Sequence, residues 1–544
     1  MCYQLPALVL PGLTIVVSPL IALMDDQVQA LRRRDIAAAS LHSGQEPNEE
    51  PQTWLGIESG RLRLLYLSPE RLLLARTLDR LQAHRIALLA IDEAHCVCEW
   101  GYDFRPSYLR LALARRRLRP RVTVALTATA TPATRLDIIR VLELHNPHVV
   151  VSGFDRPNLN FAVQRADHMR DRLVRVRSLV RLVAPAPAIV YAGTRSGVES
   201  VAYYLRRGET GVDCYHAGRP PAERARVQEK FMGGDLRILV ATNAFGMGVD
   251  KPDVRLVVHL APPGSIEDYY QEAGRASRDG APGKCIVLAG AGDRHLHERF
   301  LKRSYPPPDQ VGAFWRRLVV GSDSSGSVTL EPPEARGPVD TCLTARDVAL
   351  LDVLIRHNIV EATPVPAAMW KVRLLVPRSE ALRIAERSSP AARMLIVSLA
   401  GSRAHADRAP VTRLDAISSL LDGDQLQTAV AELQSSRILH CVPPGTRVRL
   451  LMEATSAAAL PIDWPMRRKR EAIERSKLDA IQDYVNTRRC RRWFLLRYFG
   501  QHNTRTECGD CDNCTQSGPG AHGRLVVFLR TALRRARHGA RVRP

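Results

Sequence analysis

The chain has 544 residues, 45% of them hydrophobic and 25% charged, enough for roughly three to four globular domains. Its 78 basic residues against 56 acidic ones leave a formal net charge of +22, which favours a polyanionic partner, nucleic acid before membrane, because released phosphate counterions drive association. Eleven cysteines, mostly scattered singly through apolar segments, exclude a disulfide framework and fit a reducing cytoplasm.

Almost all the basic residues are arginine, so GC-rich coding would give the same surplus with no partner at all. Residues 5–23 are nearly all apolar and long enough to span a bilayer. Pro6, Pro11 and Pro19 interrupt them, no basic region precedes them, and Asp25 and Asp26 follow at once, so no membrane association is expected. The β-branched run at 13–17 predicts a strand, and Ser18-Pro19 opens a helix. A second strand is expected at 63–67. A third, at 86–91, ends abruptly in Asp92-Glu93-Ala94-His95, and a fourth, at 122–126, runs into Thr127-Ala128-Thr129. Strands alternating with helices predict a parallel, doubly wound sheet up to about residue 150.

The segment 154–158 reads as a linker. Strands at 188–191, 213–216, 237–241, 256–259 and 284–288 then predict a second α/β sheet, ending near 302. From 303 to 466 short helical patterns, at 345–356, 414–421 and 429–439, each lead into a short β-like run, as at 371–376 or 446–451. This suggests a winged-helix-like insert, or equally a generic α+β insert. Residues 467–516 read as one or two basic amphipathic helices followed by a cysteine cluster, and 517–544 as an Arg-rich tail.

An apolar strand closed by two carboxylates opens onto the face where α/β sheets bind ligands. Asp92 and Glu93 suit a nucleotide site, one for Mg²⁺ through water and one to orient or deprotonate the attacking water. They also suit a plain helix N-cap. Arg275 and Arg278, three residues apart, are expected to share one face of a helical turn and to aim at phosphate; a solvated basic face is the alternative. Cys490, Cys508, Cys511 and Cys514 are spaced C-x₁₇-C-x₂-C-x₂-C, suited to tetrahedral Zn²⁺ or to an iron–sulfur cluster.

Taken in order, Asp-Glu-Ala-His at 92–95, Thr-Ala-Thr at 127–129 and Gln271-x-x-Gly274-Arg275-x-x-Arg278 resemble the two-lobed helicases. With Trp100-Gly101-Tyr102-Asp103-Phe104-Arg105-Pro106, Tyr215-His216-Ala217-Gly218 and residues 244–252, the sequence resembles the RecQ family of DNA helicases over about 1–305 and again over 475–514. That resemblance implies two RecA-like lobes and ATP-dependent, 3′-to-5′ unwinding of DNA in recombination and repair. It implies binding to single strands and to junction or partial-duplex DNA, by a monomer associated with the nucleoid. It assigns Mg²⁺ coordination to Asp92 and the hydrolytic base to Glu93. His95, Thr127 and Thr129 would relay nucleotide state to DNA, and Gly248, Asp250, Gln271, Arg275 and Arg278 would face ATP. Ser18, Trp100, Phe104 and Arg105 would meet DNA, the aromatics offering π-faces to bases or else closing a core edge. The four cysteines would hold zinc.

The family's Gly-Lys-Ser or Gly-Lys-Thr phosphate loop should stand directly before Cys2-Tyr3-Gln4, and no lysine precedes Lys230. Without that cradle for the β- and γ-phosphates, the 544 residues are expected to hydrolyse little ATP. The rival readings are a zinc-stabilised DNA-binding protein without ATPase activity, and an RNA helicase.

Overall fold

Burial on both faces explains why the strands of the first sheet read as unbroken apolar runs. The computed structural model describes residues 2–42, 48–97, 106–246, 251–330, 345–364, 371–401, 412–413, 423–436, 438–442, 446–452, 459–502 and 504–516. Strands β1 (Leu13–Val17), β2 (Ala38–Leu41), β3 (Leu64–Leu67), β4 (Ile86–Ile91) and β5 (Val122–Ala125) form a sheet in the order β2-β3-β1-β4-β5. Every pairing in it is parallel. The chain builds outward from β1 first to one side and then to the other, so a crevice opens beyond the carboxyl ends of β1 and β4.

The second sheet holds β6 (Leu159–Arg165), β7 (Ala188–Tyr191), β8 (Val212–Tyr215), β9 (Ile238–Ala241), β10 (Leu256–His259) and β11 (Gly283–Ala289), in the order β6-β11-β10-β7-β9-β8. It too is wholly parallel. Two helices, Trp464–Asn486 and Arg491–Tyr498, lead into the cysteine cluster. Their Leu478, Ile481, Tyr484 and Leu495, with Phe499 just past the end of the second, lie in one core with Phe161, Tyr269 and Cys285 of the second lobe. The cysteine module is therefore part of the second lobe's core and not an appendage of it.

The chain divides into two compact units, Met1–Glu298 with Ala472–Pro544, and Arg299–Glu471. The second unit contains two antiparallel three-stranded sheets. One is β12 (Ser327–Leu330), β17 (Thr446–Leu450) and β13 (Val360–Pro364), in that order. The other is β15 (Thr412–Arg413), β14 (Lys371–Leu374) and β16 (Leu439–Val442). Each has its own core, Phe314, Trp315 and Leu354 in the first and Leu395, Ile396 and Val430 in the second. The second small module is threaded between β13 and β17 of the first, so the single insert expected at 303–466 is two nested modules. The helical pattern read at 414–421 lies outside the described residues, as does the tail 517–544.

Phe499 is 1% exposed and stacks on Phe154, ring centroids 4.7 Å apart. Phe499→Ala should lower the urea stability of the cysteine module by about 3 kcal/mol with native circular dichroism unchanged, and a loss under about 1 kcal/mol would show that Phe499 is not its anchor.

Candidate nucleotide site and metal centre

The register of the first sheet sets Val17 beside Ile91 and Ile91 beside Ala125. Ser18, Asp92 and Leu126 therefore emerge side by side at the carboxyl edge, with Thr127 one residue beyond Leu126. Backbone bonds continue the ladder past the strand ends, Asp92 N–H donating to the Val17 carbonyl at 2.9 Å and Leu126 N–H to the Ile91 carbonyl at 2.9 Å. Asp92 Oδ1 accepts the Glu93 N–H at 3.0 Å, and Tyr108 donates its hydroxyl to the Asp92 carbonyl at 3.0 Å. Glu93 sits at φ 47°, a left-handed conformation that costs a non-glycine residue on the order of 1 kcal/mol. That turn brings its carboxylate to 3.3 Å from His95 Nδ1. The same nitrogen lies 2.9 Å from Thr127 Oγ1, which accepts the Thr129 N–H at 3.3 Å. Glu93, His95 and the Thr127–Thr129 turn form one connected line.

Burial dominates both titrations here. It raises the Asp92 carboxyl above the ordinary range, opposed by the Glu93 N–H. A bound divalent cation reverses that situation, so the donor fits Mg²⁺. Burial, with the Lys477 ammonium second, pushes His95 down to about 4; the nearby Glu93 carboxylate does not offset it. Ser18 is only 2% exposed and its hydroxyl has no partner among the described residues. In this structure it lies beneath the surface beside Asp92 rather than on an exposed nucleic-acid face.

In the second lobe, register pairs His259 with Tyr191 and Tyr191 with Ala241. His259 stacks on Tyr191 at 5.4 Å and meets the Glu272 carboxylate at 2.8 Å. Tyr191 donates to the Phe245 carbonyl at 2.9 Å, and its phenol is raised by burial against the opposing charge of Arg275, with which it also hydrogen-bonds. Arg275 is 5% exposed, and its Nε has no partner among the described residues. Gly246 makes room for it, since a Cβ there would lie 2.8 Å from the Asn243 carbonyl oxygen and 3.3 Å from Arg275 Nη2.

The helical turn expected to carry both arginines is not formed. The helix Ile266–Ala273 ends before them, because Ser277 takes φ 46° and ties its N–H and hydroxyl to the Val254 carbonyl at 2.7 and 3.1 Å. Arg275 is consequently buried and Arg278 exposed, on different faces. Gln271 is half-buried on the last turn of the helix. Gly248, Asp250, Trp100, Phe104 and Arg105 lie outside the described residues.

The four cysteine sulfurs lie within 4.8 Å of one another, Cys490 and Cys511 at 3.9 Å. Tetrahedral zinc with Zn–S bonds near 2.3 Å spaces its ligands about 3.8 Å apart, so the set fits one Zn²⁺. The Asp510 and Cys511 N–H groups point at Cys508 Sγ at 3.4 and 3.3 Å, and the Arg491 N–H at Cys511 Sγ at 3.4 Å. Hydrogen bonds from the Cys490 and Cys511 thiols, then from these amides, hold the Cys508 thiol far below its usual range, ready to ligate as thiolate.

Three family profiles match the chain, the DEAD/DEAH box helicase over residues 1–138, the helicase conserved C-terminal domain over 171–280 and the RecQ zinc-binding domain over 446–515. The chain belongs to the RecQ family of helicases. It is 41% identical over 314 residues to the ATP-dependent DNA helicase RecQ of Pasteurella multocida, covering 58% of this chain and 49% of that one. It is 42% identical over 301 residues to that of Bacillus subtilis, covering 55% and 50%. To the probable ATP-dependent DNA helicase RecS of Bacillus subtilis it is 40% identical over 320 residues, covering 58% and 64%. The chain thus spans about half the length of the RecQ helicases named first. The RecQ zinc-binding match begins at residue 446, on β17, ahead of the boundary at 467 drawn from composition.

Several residues that build this RecQ-type site escape a reading of the sequence. Arg491, 4% exposed, fastens the cysteine cluster through Asp512, Nε to Oδ1 at 2.9 Å. An acidic residue inside the C-x₂-C knuckle was the available signal. Tyr191 and Arg156 gave none, because their partners are backbone carbonyls and a distant arginine. No helix among the described residues is long and apolar enough to cross a membrane.

Two measurements follow from this geometry. His95 is neutral when folded but titrates near 6.5 when unfolded, so its contribution to stability is full above about pH 6.5 and is lost as pH falls toward 4. Between pH 7 and pH 5 the wild type should lose about 2 kcal/mol more urea stability than His95→Gln; equal losses would place His95 elsewhere. Purified protein should carry about one zinc per chain and Cys508→Ser clearly less, with an iron–sulfur absorption band the outcome that contradicts zinc.

Proposed function

We propose that this chain is the motor and zinc module of an ATP-driven DNA helicase that moves 3′ to 5′ and opens junction and partial-duplex DNA in recombination and repair, working as a cytoplasmic monomer. The observation that carries this is the unbroken line from Glu93 through His95 to Thr127 and Thr129. It ties the carboxylate that would meet attacking water to a turn able to respond to DNA. Bound Mg²⁺ would neutralise charge on the β- and γ-phosphates. Asp92 would orient it, and Glu93 would accept a proton from the attacking water. Arg275, held in its slot by Tyr191 and Gly246, would face charge that develops on the transferred phosphoryl, and Arg278 would assist from the exposed side of the turn. The net charge of +22 suits binding that weakens steeply with salt. RecQ-named relatives described as DNA helicases favour DNA over RNA.

These residues supply the carboxylate and arginine sides of the site, while no Gly-Lys-Ser or Gly-Lys-Thr occurs among the 544. A carboxylate and an arginine accelerate transfer only once phosphate is held in place. The 544-residue chain should therefore hydrolyse ATP near background, and the same chain joined to an upstream segment bearing such a loop should hydrolyse it with stimulation by single-stranded DNA. In that longer chain Glu93→Gln should reduce kcat about a hundredfold or more with ATP binding retained. An extended chain that binds DNA but never turns over ATP would favour the non-enzymatic DNA-binding reading.

A further inference from the structure

The segment 154–158, read from sequence as a linker, grips the turn that carries Arg275. Arg156 donates from Nη1 to the Gly274 carbonyl at 3.1 Å and from Nη2 to the Ala276 and Ser277 carbonyls at 3.0 and 3.2 Å. Asn158 Nδ2 adds bonds to the Ser277 and Ala281 carbonyls at 2.8 and 2.9 Å. These carbonyls follow the end of the helix Ile266–Ala273, where no further helical turn supplies donors. One guanidinium therefore caps the residues on both sides of Arg275. The segment is itself fixed, since Phe154 stacks on Phe499 and Asp155 pairs with Arg492 at 3.0 Å.

We infer that Arg156, supported by Asn158, is a positioning residue for Arg275, holding the 274–281 turn so that the Arg275 guanidinium stays in its slot beside Tyr191 and Gly246. This rests on the reading of Arg275 as a phosphate-facing residue. A plain backbone scaffold would leave the turn equally fixed by the Ser277–Val254 bonds and by Arg255, which reaches Ser277 Oγ at 3.2 Å and the Asp279 carboxylate at 2.5 Å. Charge-assisted bonds to three carbonyls outweigh the neutral Ser277–Val254 pair. The Arg255 contacts fall at 277 and 279, beyond Arg275, so Arg156, bonded at 274 and 276, sets the opening of the turn at Arg275 itself.

Phenylglyoxal labelling of the 544-residue protein, read by peptide mass spectrometry, tests this without nucleotide. Arg275 should be protected in the wild type and label about tenfold faster in Arg156→Ala, through more frequent local opening. Arg172 and Arg491, 6% and 4% exposed, should stay protected in both. Asp155→Ala, which breaks only the contact to Arg492, should leave Arg275 protected. Unchanged labelling of Arg275 in Arg156→Ala overturns the inference, and so does joint labelling of all three buried arginines in Arg156→Lys, the milder variant. In the extended, ATP-hydrolysing chain Arg156→Lys should lower kcat about tenfold with KM for ATP and zinc content unchanged. Faster Arg275 labelling with no ATPase activity in the extended parent would leave the positioning intact and reject the enzymatic reading instead.

Discussion

An edge strand cannot leave its amides unpaired against a neighbouring core, and the closure of the outer edge of β6 is what the rest of this molecule hangs on. The sheet supplies β6 with one partner, β11. On its other side Val163 N–H donates to Asp512 Oδ2 at 2.9 Å, and Asn160 donates to the Asp510 carbonyl. Asp512 is the same carboxylate that holds Arg491, whose own N–H reaches Cys511 Sγ. Metal site, sheet edge and hydrophobic core are thus one cooperative object. The module also touches the first lobe. Gly500, at φ +86°, turns the chain where a Cβ would lie 2.7 Å from Pro132, a position open only to glycine.

At the nucleotide site a single cause, desolvation, acts on two groups in opposite directions. It favours the uncharged form, so the Asp92 carboxyl rises and His95 falls. Tyr3 and Tyr66, edge to face at 6.2 Å, lie near the Asp92 carboxyl, and burial first, with the Asp92 charge behind it, raises both phenols. A cation and a polyphosphate bound there, as proposed above, would restore the charges that burial removes.

Much of this was legible in the residues. Apolar runs that stop at Asp92 and at Thr127 marked the carboxyl edge of a parallel sheet, and the cysteine spacing marked a chelate. What escaped did so for definable reasons. β2, Ala38–Leu41, is small and partly polar, so it lacks the β-branched signal of its neighbours. Periodicity assumed that the helix ran on past Gly274, and could not see Ser277 pulling the chain away toward Val254. The nesting of residues 371–442 inside another sheet depends on pairing between β13 and β17, which no local pattern encodes. Arg156 looked like linker because its partners are main-chain oxygens more than a hundred residues away.

The distance along the chain between β6 and its cover has a consequence during synthesis. Val163 and Asp512 are 349 residues apart, and a ribosome adding about 5–20 residues per second needs roughly 20–70 s to span that interval. For that time the second lobe emerges with a bare strand and an open apolar face. β13 waits in the same way for β17, with 371–442 still to be made. Newly made chains are therefore at greatest risk of pairing with one another before the last cysteine leaves the exit tunnel, and crowding of ribosomes on the message would aggravate it.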